Sequence, residues 1–128
     1  MKLLLDTHIL IWSAADILPI SAVEYVRNTD NTLLFSPINI WEVAIKHGLK
    51  RYDFYTDPQN FYNGLLANGY FELSVTSQHA LAIGSLPALH KDPFDRILLA
   101  QSVSEGIPLL TFDRTLAQYP APVILLQK

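Results

Sequence analysis

Residues 2–15 read KLLLDTHILIWSAA and hold the clearest evidence for the fold class. Lys2–Leu5 is a short apolar run that predicts a β-strand, Asp6 ends it, and Thr7–Ala15 follows as a predicted helix. An apolar run without alternation is typical of a parallel strand that is covered on both faces. Leu109–Leu110, far along the chain, repeats the pattern.

The same order of strand and helix continues along the chain, which predicts an α/β protein with a central parallel sheet of four to five strands flanked by helices. The predicted strands are Lys2–Leu5, Thr32–Phe35, Phe71–Val75, Pro108–Thr111 and Val123–Leu126. The predicted helices are Thr7–Ala15, Ser21–Asn28, Pro37–His47, a helix from Asp57–Pro58 to near Gly69, Gln78–Ser85, and a helix from Asp92–Pro93 to Gly106.

Two of the helices in the first half of the chain carry clear start or stop signals. Ser21 with Glu24 three residues later forms a capping box, which predicts a start at Ser21. Ser36 before Pro37 predicts a second start, and Gly48 a stop.

Composition limits the class of protein. The chain has 128 residues and a mass of 14.4 kDa, which predicts a single domain over residues 1–128. Half of the residues are hydrophobic and 16% are charged, which excludes a disordered chain. No apolar run is long enough to cross a membrane, and Asp6 and His8 interrupt the apolar start where a signal peptide would have its core. Because the chain also has no cysteine, we expect a cytoplasmic protein.

The net charge of −3 excludes a protein that grips nucleic acid with lysine and arginine alone. It leaves open an acidic site that recruits phosphate through a bound metal.

Two acidic residues follow predicted strands. Asp6 comes directly after the first strand, and Asp113 follows the fourth strand after Thr111 and Phe112. The carboxyl ends of parallel strands meet at one edge of the sheet, where ligands of open α/β sheets bind. The alternative is a helix N-cap for Asp6 and a turn residue for Asp113.

Glu42 lies within the predicted helix over Pro37–His47. With Ile38, Trp41 and Ile45 it makes one stripe at helical spacing, in which it is the only charge. A carboxylate on a core-facing stripe is costly unless it is paired or bound to a metal. The alternative is an ion pair with Lys46.

Asp92 and Asp95 begin another predicted helix. Asp92 precedes a proline at the first helical position, so we expect it to be the N-cap, and Asp95 then lies in the first turn. A purely structural explanation, a cap and a partner for the helix dipole, remains open for both.

Together these residues predict carboxylates that converge on one edge of the sheet and need cations. Hard oxygen ligands select Mg²⁺ or Mn²⁺. Without Asp6, Glu42, Asp95 and Asp113, eight of the 12 acidic residues remain against nine basic ones, so the rest of the chain is nearly neutral. The four histidines show no zinc spacing, and the chain has no GxGxxG, P-loop or GxSxG motif.

Four segments resemble the PIN-domain ribonucleases, and more narrowly the VapC-type toxins of bacterial toxin–antitoxin pairs. They are LDTH at residues 5–8, SPINIWEVAIK at 36–46, HKDPFDR at 90–96 and TFD at 111–113. The DPFDR segment together with the upstream WE pair is the specific part. The resemblance extends over essentially the whole chain.

The resemblance implies a Mg²⁺- or Mn²⁺-dependent endoribonuclease. It gives catalytic roles to Asp6, Glu42, Asp95 and Asp113, with the three aspartates as metal ligands and Glu42 acting through water. Other residues take supporting roles: Thr7 and Thr111 as hydroxyls beside the acids, and Asp92 as a cap first and part of the metal shell second. It also implies a VapB-like antitoxin partner and a homodimer. The candidate RNA contacts are Lys46, Lys50, Arg51 and Arg96.

Two alternatives remain. One is a non-catalytic PIN-like module that binds RNA or protein, although such modules usually lose the acids. The other is a metal-dependent phosphate-handling enzyme. A receiver domain would need an acid pair after the first strand, and a haloacid-dehalogenase-like phosphatase would need a second aspartate where His8 stands.

Overall fold

The computed structural model of the protein describes residues 1–89 and 91–127. Within these residues the strands are β1 (Lys2–Leu5), β2 (Thr32–Phe35), β3 (Phe71–Glu72), β4 (Leu109–Thr111) and β5 (Val123–Leu125). The α-helices are α1 (Thr7–Ala14), α2 (Ile20–Val26), α3 (Pro37–Gly48), α4 (Pro58–Ala67), α5 (Ser77–Ala82) and α6 (Pro93–Glu105). Short 3₁₀ turns cover Ile83–Ser85 and Leu116–Gln118. His90, the first residue of the HKDPFDR segment, and Lys128 lie outside the described residues.

The five strands form one parallel sheet in the order β3-β2-β1-β4-β5. β1 lies in the middle, where Leu4 is paired with Leu34 of β2 and Leu109 of β4. The predicted α/β class and parallel sheet are therefore confirmed. Because β1 and β4 are neighbours, their carboxyl ends lie side by side.

The two faces of the sheet carry separate apolar layers. Leu3 and Leu5 of β1 pack on one face with residues of α1, α2 and α4, whereas Leu4 packs on the other with Leu98 and Leu99 of α6. All three leucines of β1 are completely buried. Coverage on both faces explains why this strand is uniformly apolar.

The starts of α3 and α6 agree with their sequence signals. Ser36 caps α3 by accepting a hydrogen bond from the Ile38 N–H at 3.1 Å. Asp92 caps α6 by accepting from the Phe94 N–H at 2.9 Å. Gly106 ends α6 with a φ of 64°, a left-handed conformation that favours glycine. These caps fix where both helices begin at the edge of the sheet.

The capping box predicted for α2 is wrong. α2 begins at Ile20 after Pro19, with no side-chain cap, so Ser21 already lies inside the first turn. Pro19 supplies the extended backbone that precedes the helix, and this moves the start one residue earlier than Ser21 would.

β3 ends at Glu72, earlier than predicted. The carbonyls of Leu73 and Ser74 accept hydrogen bonds from the Gln101 side chain, at 3.1 and 3.4 Å, instead of continuing a strand ladder.

The inward face of α3 also differs from the predicted stripe. Ile38 and Glu42 are buried as expected, but Trp41 and Ile45 are 53% and 40% exposed. Asn39 is buried instead, because its side chain accepts from the Ser36 N–H and donates to the Leu5 carbonyl. These bonds hold Asn39 against the end of β1, so the face of α3 that contains Asn39 and Val43 is buried instead of the face that contains Trp41 and Ile45.

None of the helices in the described ranges has the length and apolar character that crossing a bilayer requires.

Candidate active site

The ends of β1 and β4 are tied together through side chains. Asp6 accepts hydrogen bonds from the Thr7 N–H on Oδ1 and from the Thr111 hydroxyl on Oδ2, both at 2.7 Å. The Thr111 hydroxyl oxygen in turn accepts from the Asp113 N–H at 3.0 Å, and Asp113 Oδ1 accepts from the Thr115 N–H at 2.8 Å. Both carboxylates are therefore held on fixed backbone at the carboxyl edge of the sheet.

The start of α6 adds two more carboxylates. Asp92 is the N-cap and Asp95 lies in the first turn, as predicted. Asp95 is only 9% exposed. The helix dipole favours an anion at this position, but burial of its charge opposes it.

Glu42 extends from α3 toward the same edge of the sheet, and each of its carboxylate oxygens accepts a hydrogen bond. Oε1 accepts from the Thr7 hydroxyl and Oε2 from the Lys46 ammonium, each at 2.6 Å. The Thr7 oxygen accepts from the Asn39 amide at 2.9 Å, which orients its hydroxyl hydrogen toward Glu42. The ion pair considered as an alternative for Glu42 is present.

These side chains surround one cleft of about 610 Å³. We call it the acidic cleft and define it by five of the six carboxylates that line it, Asp6, Glu42, Asp92, Asp95 and Asp113; the sixth, Asp53, pairs with His8 at the rim. All four acids predicted as catalytic therefore come together, and Asp92 joins them.

The carboxylates repel one another inside the acidic cleft. Burial, followed by the charges of Asp6, Asp92, Glu42 and Asp113, raises the pKa of Asp95 to about 9. Burial also raises the pKa of Asp6, against the lowering effect of the Thr111 hydrogen bond, and the charge of Glu42 adds to the increase. Bound cations would relieve this repulsion.

The donor set suits a hard divalent cation. All five groups offer carboxylate oxygen, the ligand that Mg²⁺ and Mn²⁺ prefer. Among residues 1–89 and 91–127, no three acidic or histidine side chains stand close enough together to enclose a metal ion as they are placed. Since Mg²⁺ usually keeps several water ligands, a partly protein-built shell fits this chemistry.

Comparison with protein families supplies the identity of the fold. The PIN domain model matches residues 3–122. The chain belongs to the PIN domain family. The resemblance seen in the sequence is thereby confirmed at the level of the family. Comparison with curated proteins gives no significant match.

Solved structures with this PIN fold include members of VapBC complexes. One is VapBC2 from Rickettsia felis bound to a DNA fragment from their promoter, with 15% identity, a TM-score of 0.72, and coverage of 99% of this chain and 100% of the other. Another is DNA-bound VapBC from Salmonella typhimurium, with 19% identity, a TM-score of 0.70 and 97% coverage of each chain. A third, VapBC-5 from Mycobacterium tuberculosis, a member of the VapBC family of toxin-antitoxin systems, has 16% identity, a TM-score of 0.54, and coverage of 99% of this chain and 98% of the other. At these identities the likeness establishes the fold alone.

The basic residues predicted as RNA contacts lie in different places in the PIN domain. Lys50 and Arg51 are exposed in the loop after α3. Lys46 is mostly buried beside Glu42, with 17% of its side chain exposed. Arg96 donates to the carbonyls of Pro87 and Ile83, at 3.0 and 3.4 Å, and is not among the residues that line the acidic cleft. Lys50 and Arg51 do not line the cleft either, whereas Lys46 does, so all four stay proposals as RNA contacts, and Arg96 in addition anchors the loop before α6.

An aromatic rim beside the acidic cleft escaped the sequence analysis. His8, Trp12 and Tyr52 line the cleft, and Tyr52 is 91% exposed. His8 Nε2 lies 3.2 Å from Asp53 Oδ2, so α1 and the loop after α3 meet there. Sequence pattern gave no signal for Tyr52 or Asp53, because only the folded chain brings that loop to the cleft.

Proposed function

We propose that this PIN domain is a Mg²⁺- or Mn²⁺-dependent endoribonuclease and the toxin of a toxin–antitoxin pair. The observation that carries the proposal is the meeting of five carboxylates in one cleft, where burial and then the charges of the other four raise the pKa of Asp95. Crowding of this kind costs stability unless a cation is bound, and strongly perturbed acids in a cleft are typical of functional sites.

Asp6, Asp95 and Asp113 are the proposed metal ligands. Asp6 and Asp113 are held in place by hydrogen bonds from Thr111 and Thr115, so their remaining oxygen lone pairs have defined directions. A divalent ion bound there would attract the phosphate, lower the pKa of a water molecule and stabilise the leaving oxygen. We assign Glu42 a role through water, either on the metal or in orienting the attacking water.

The rim supports RNA as the substrate. Lys50 and Arg51 are exposed and directly precede Tyr52, which lines the acidic cleft and presents an exposed ring on which an unstacked base could rest. The net charge of −3 favours a metal-mediated phosphate contact, because the nine lysines and arginines are outnumbered by 12 acidic residues.

A VapB-like antitoxin and a second copy of the chain are the proposed partners. The VapBC solved structures support the antitoxin by analogy of fold. A cavity of about 430 Å³ between α3 and α4 adds a physical reason, since it is lined by Ile40, Trp41 and Tyr62 and exposes half of the Trp41 side chain. Exposed apolar surface of this kind is typical of protein interfaces.

The first experiment measures RNA cleavage by the purified protein with Mn²⁺, with Mg²⁺ and with EDTA, on a panel of structured RNAs. We expect cleavage that EDTA stops and that Asp6→Asn and Asp95→Asn each reduce at least 100-fold. Asp30→Asn is the matched control, because Asp30 is exposed and precedes β2 at the amino edge of the sheet, opposite the carboxyl edge that holds the cleft. Cleavage that persists in EDTA would contradict the metal mechanism.

A second experiment addresses the role as a toxin. Expression of the wild type alone should arrest growth, and Asp6→Asn or Asp95→Asn should abolish the arrest, whereas Asp30→Asn should leave it intact. Co-expression of a small protein encoded beside this chain should relieve it. RNA binding without cleavage, together with full toxicity of both site variants, would favour the non-catalytic binding module instead.

A further inference from the structure

Lys46 is held inside the acidic cleft. Its ammonium lies 2.6 Å from Glu42 Oε2, one helical turn earlier in α3, and 3.8 Å from Asp92 Oδ2 at the start of α6. Only 17% of the side chain is exposed. The ammonium therefore bridges two helices whose carboxylates face the same cleft.

Aromatic rings enclose the same ammonium on other sides. Its nitrogen lies 5.0 Å from the ring centre of Phe54 and 5.4 Å from that of Phe94. A cation over an aromatic face is attracted to it, most strongly where water is excluded. Two carboxylates and two aromatic rings thus hold the Lys46 ammonium in one position. The nearby Lys50, by contrast, has an exposed side chain.

Glu42 has little capacity left for a second cation. It is 4% exposed, with Thr7 on one oxygen and Lys46 on the other. A divalent ion that bound Glu42 directly would have to displace the ammonium or lie beside it, and like charges at that distance repel strongly in a partly buried site.

The other side of the acidic cleft has a different character. Asp6, Asp95 and Asp113 come from the ends of β1 and β4 and the first turn of α6, and the anionic form of Asp95 is destabilised first by burial and then by its acidic neighbours. Lys46 thus compensates negative charge near Glu42 and Asp92, whereas burial and the charges of four carboxylates raise the pKa of Asp95.

We infer that Lys46 is a positioning residue that takes the place of a second metal ion, neutralising Glu42 and Asp92 and restricting the acidic cleft to one divalent ion at Asp6, Asp95 and Asp113. The inference rests on the proposed function, which supplies the metal. It makes the cleft a site with one divalent ion and one fixed ammonium.

The experiment counts Mn²⁺ ions bound per chain, from the electron paramagnetic resonance signal of free Mn²⁺ during a titration. We expect one Mn²⁺ for the wild type, one for Lys46→Arg, which keeps the charge, and two for Lys46→Met, which removes it. Lys2→Met is the control for loss of a lysine charge at an exposed site and should bind one. The double variant with Lys46→Met and Glu42→Gln should again bind one Mn²⁺ per chain, because the Glu42 carboxylate that Lys46→Met leaves unpaired is removed as well.

Thermal unfolding in EDTA and in Mn²⁺ accompanies the titration, since Lys46→Met leaves Glu42 buried without its cation. If that variant unfolds in EDTA, Mn²⁺ should restore the fold and raise its melting temperature by more than it raises that of the wild type. Two Mn²⁺ on the wild type, or one on Lys46→Met, overturns the inference and leaves the proposed function standing. A wild type that binds no Mn²⁺ overturns the proposed function and the inference with it.

Discussion

At Asp95, burial and charge act in the same direction. The side chain is withdrawn from water, and four other carboxylates lie near enough to oppose its ionisation. Asp6 has the same two difficulties, but the Thr111 hydroxyl and the Thr7 N–H donate to its oxygens and offset part of the penalty. The folded protein therefore places unfavourable negative charge at both Asp95 and Asp6.

This charge predicts how stability depends on pH in the metal-free protein. The pKa of Asp95 is higher in the folded chain than the value of about 3.9 expected when unfolded, so the folded state binds more protons between the two values. The free energy of unfolding should fall by about 1 kcal/mol or more between pH 6 and pH 9 in EDTA, since the acid must ionise against its neighbours. Urea unfolding at both pH values measures this.

Asp95→Asn is the matched variant, because asparagine keeps the shape and can still accept a hydrogen bond in the first turn of α6. In EDTA at pH 9, its free energy of unfolding should exceed that of the wild type by up to about 1 kcal/mol and should not fall below it. Its free energy of unfolding should also change less between pH 6 and pH 9 than that of the wild type. Asp30→Asn should follow the wild type. A lower stability of Asp95→Asn at both pH values would make Asp95 a structural acid only.

Sequence pattern found some of the cleft's residues for physical reasons that can be named. Asp6 and Asp113 follow apolar strands, and parallel strands share a carboxyl edge. Glu42 is a charge on a helix that must bury one face. Asn39 and Asp53 were missed because their partners, the Leu5 carbonyl and His8, lie 34 and 45 positions away, and no local pattern reports such contacts.

At the scale of the elements, the positions at which α3 and α6 begin place three of the site's five carboxylates. Ser36 is the N-cap of α3 and Asp92 is the N-cap of α6. These caps fix the first residue of each helix and therefore the positions of Glu42 and Asp95 along it, beside the acidic cleft. Sequence signals placed both starts correctly. The sequence signals were wrong for α2, because Pro19 rather than Ser21 determines where the helix begins. They were also wrong for the inward face of α3, because the hydrogen bonds of Asn39 determine which face is buried.

Two serines test the assignment of the caps. Ser36→Ala should lower the free energy of unfolding by about 1 kcal/mol, because it removes the cap of α3 at a fully buried position. Ser21→Ala should be neutral or slightly stabilising, because the Ser21 hydroxyl is buried without a hydrogen-bond partner in the described structure. Chemical denaturation of the two variants measures both effects. Equal losses would restore the predicted capping box of α2.

At the scale of the whole molecule, the strand order explains why distant segments form one site. The order β3-β2-β1-β4-β5 makes β1 and β4 neighbours, although about 100 residues separate them in the chain. Alternating strands and helices predicted a parallel sheet, but they do not specify which strands are adjacent. The sequence therefore predicted the edge at which the acids lie, whereas their hydrogen bonds through Thr111 required the folded structure.

The same topology predicts that metal binding stabilises the entire fold. The proposed ligands Asp6, Asp95 and Asp113 come from three separated parts of the chain, so an unfolded chain cannot bring them together and the ion binds only the folded state. At a free Mn²⁺ concentration about 100 times the dissociation constant, the free energy of unfolding should rise by about 2.7 kcal/mol. The increase should appear in global unfolding, followed by circular dichroism in urea, and in the slowest-exchanging amides of β1 and β4. Asp6→Asn should lose most of the increase, because it removes the ligand at the centre of the sheet, whereas Asp30→Asn should keep all of it. An increase of the same size in Asp6→Asn would place the ion elsewhere in the molecule.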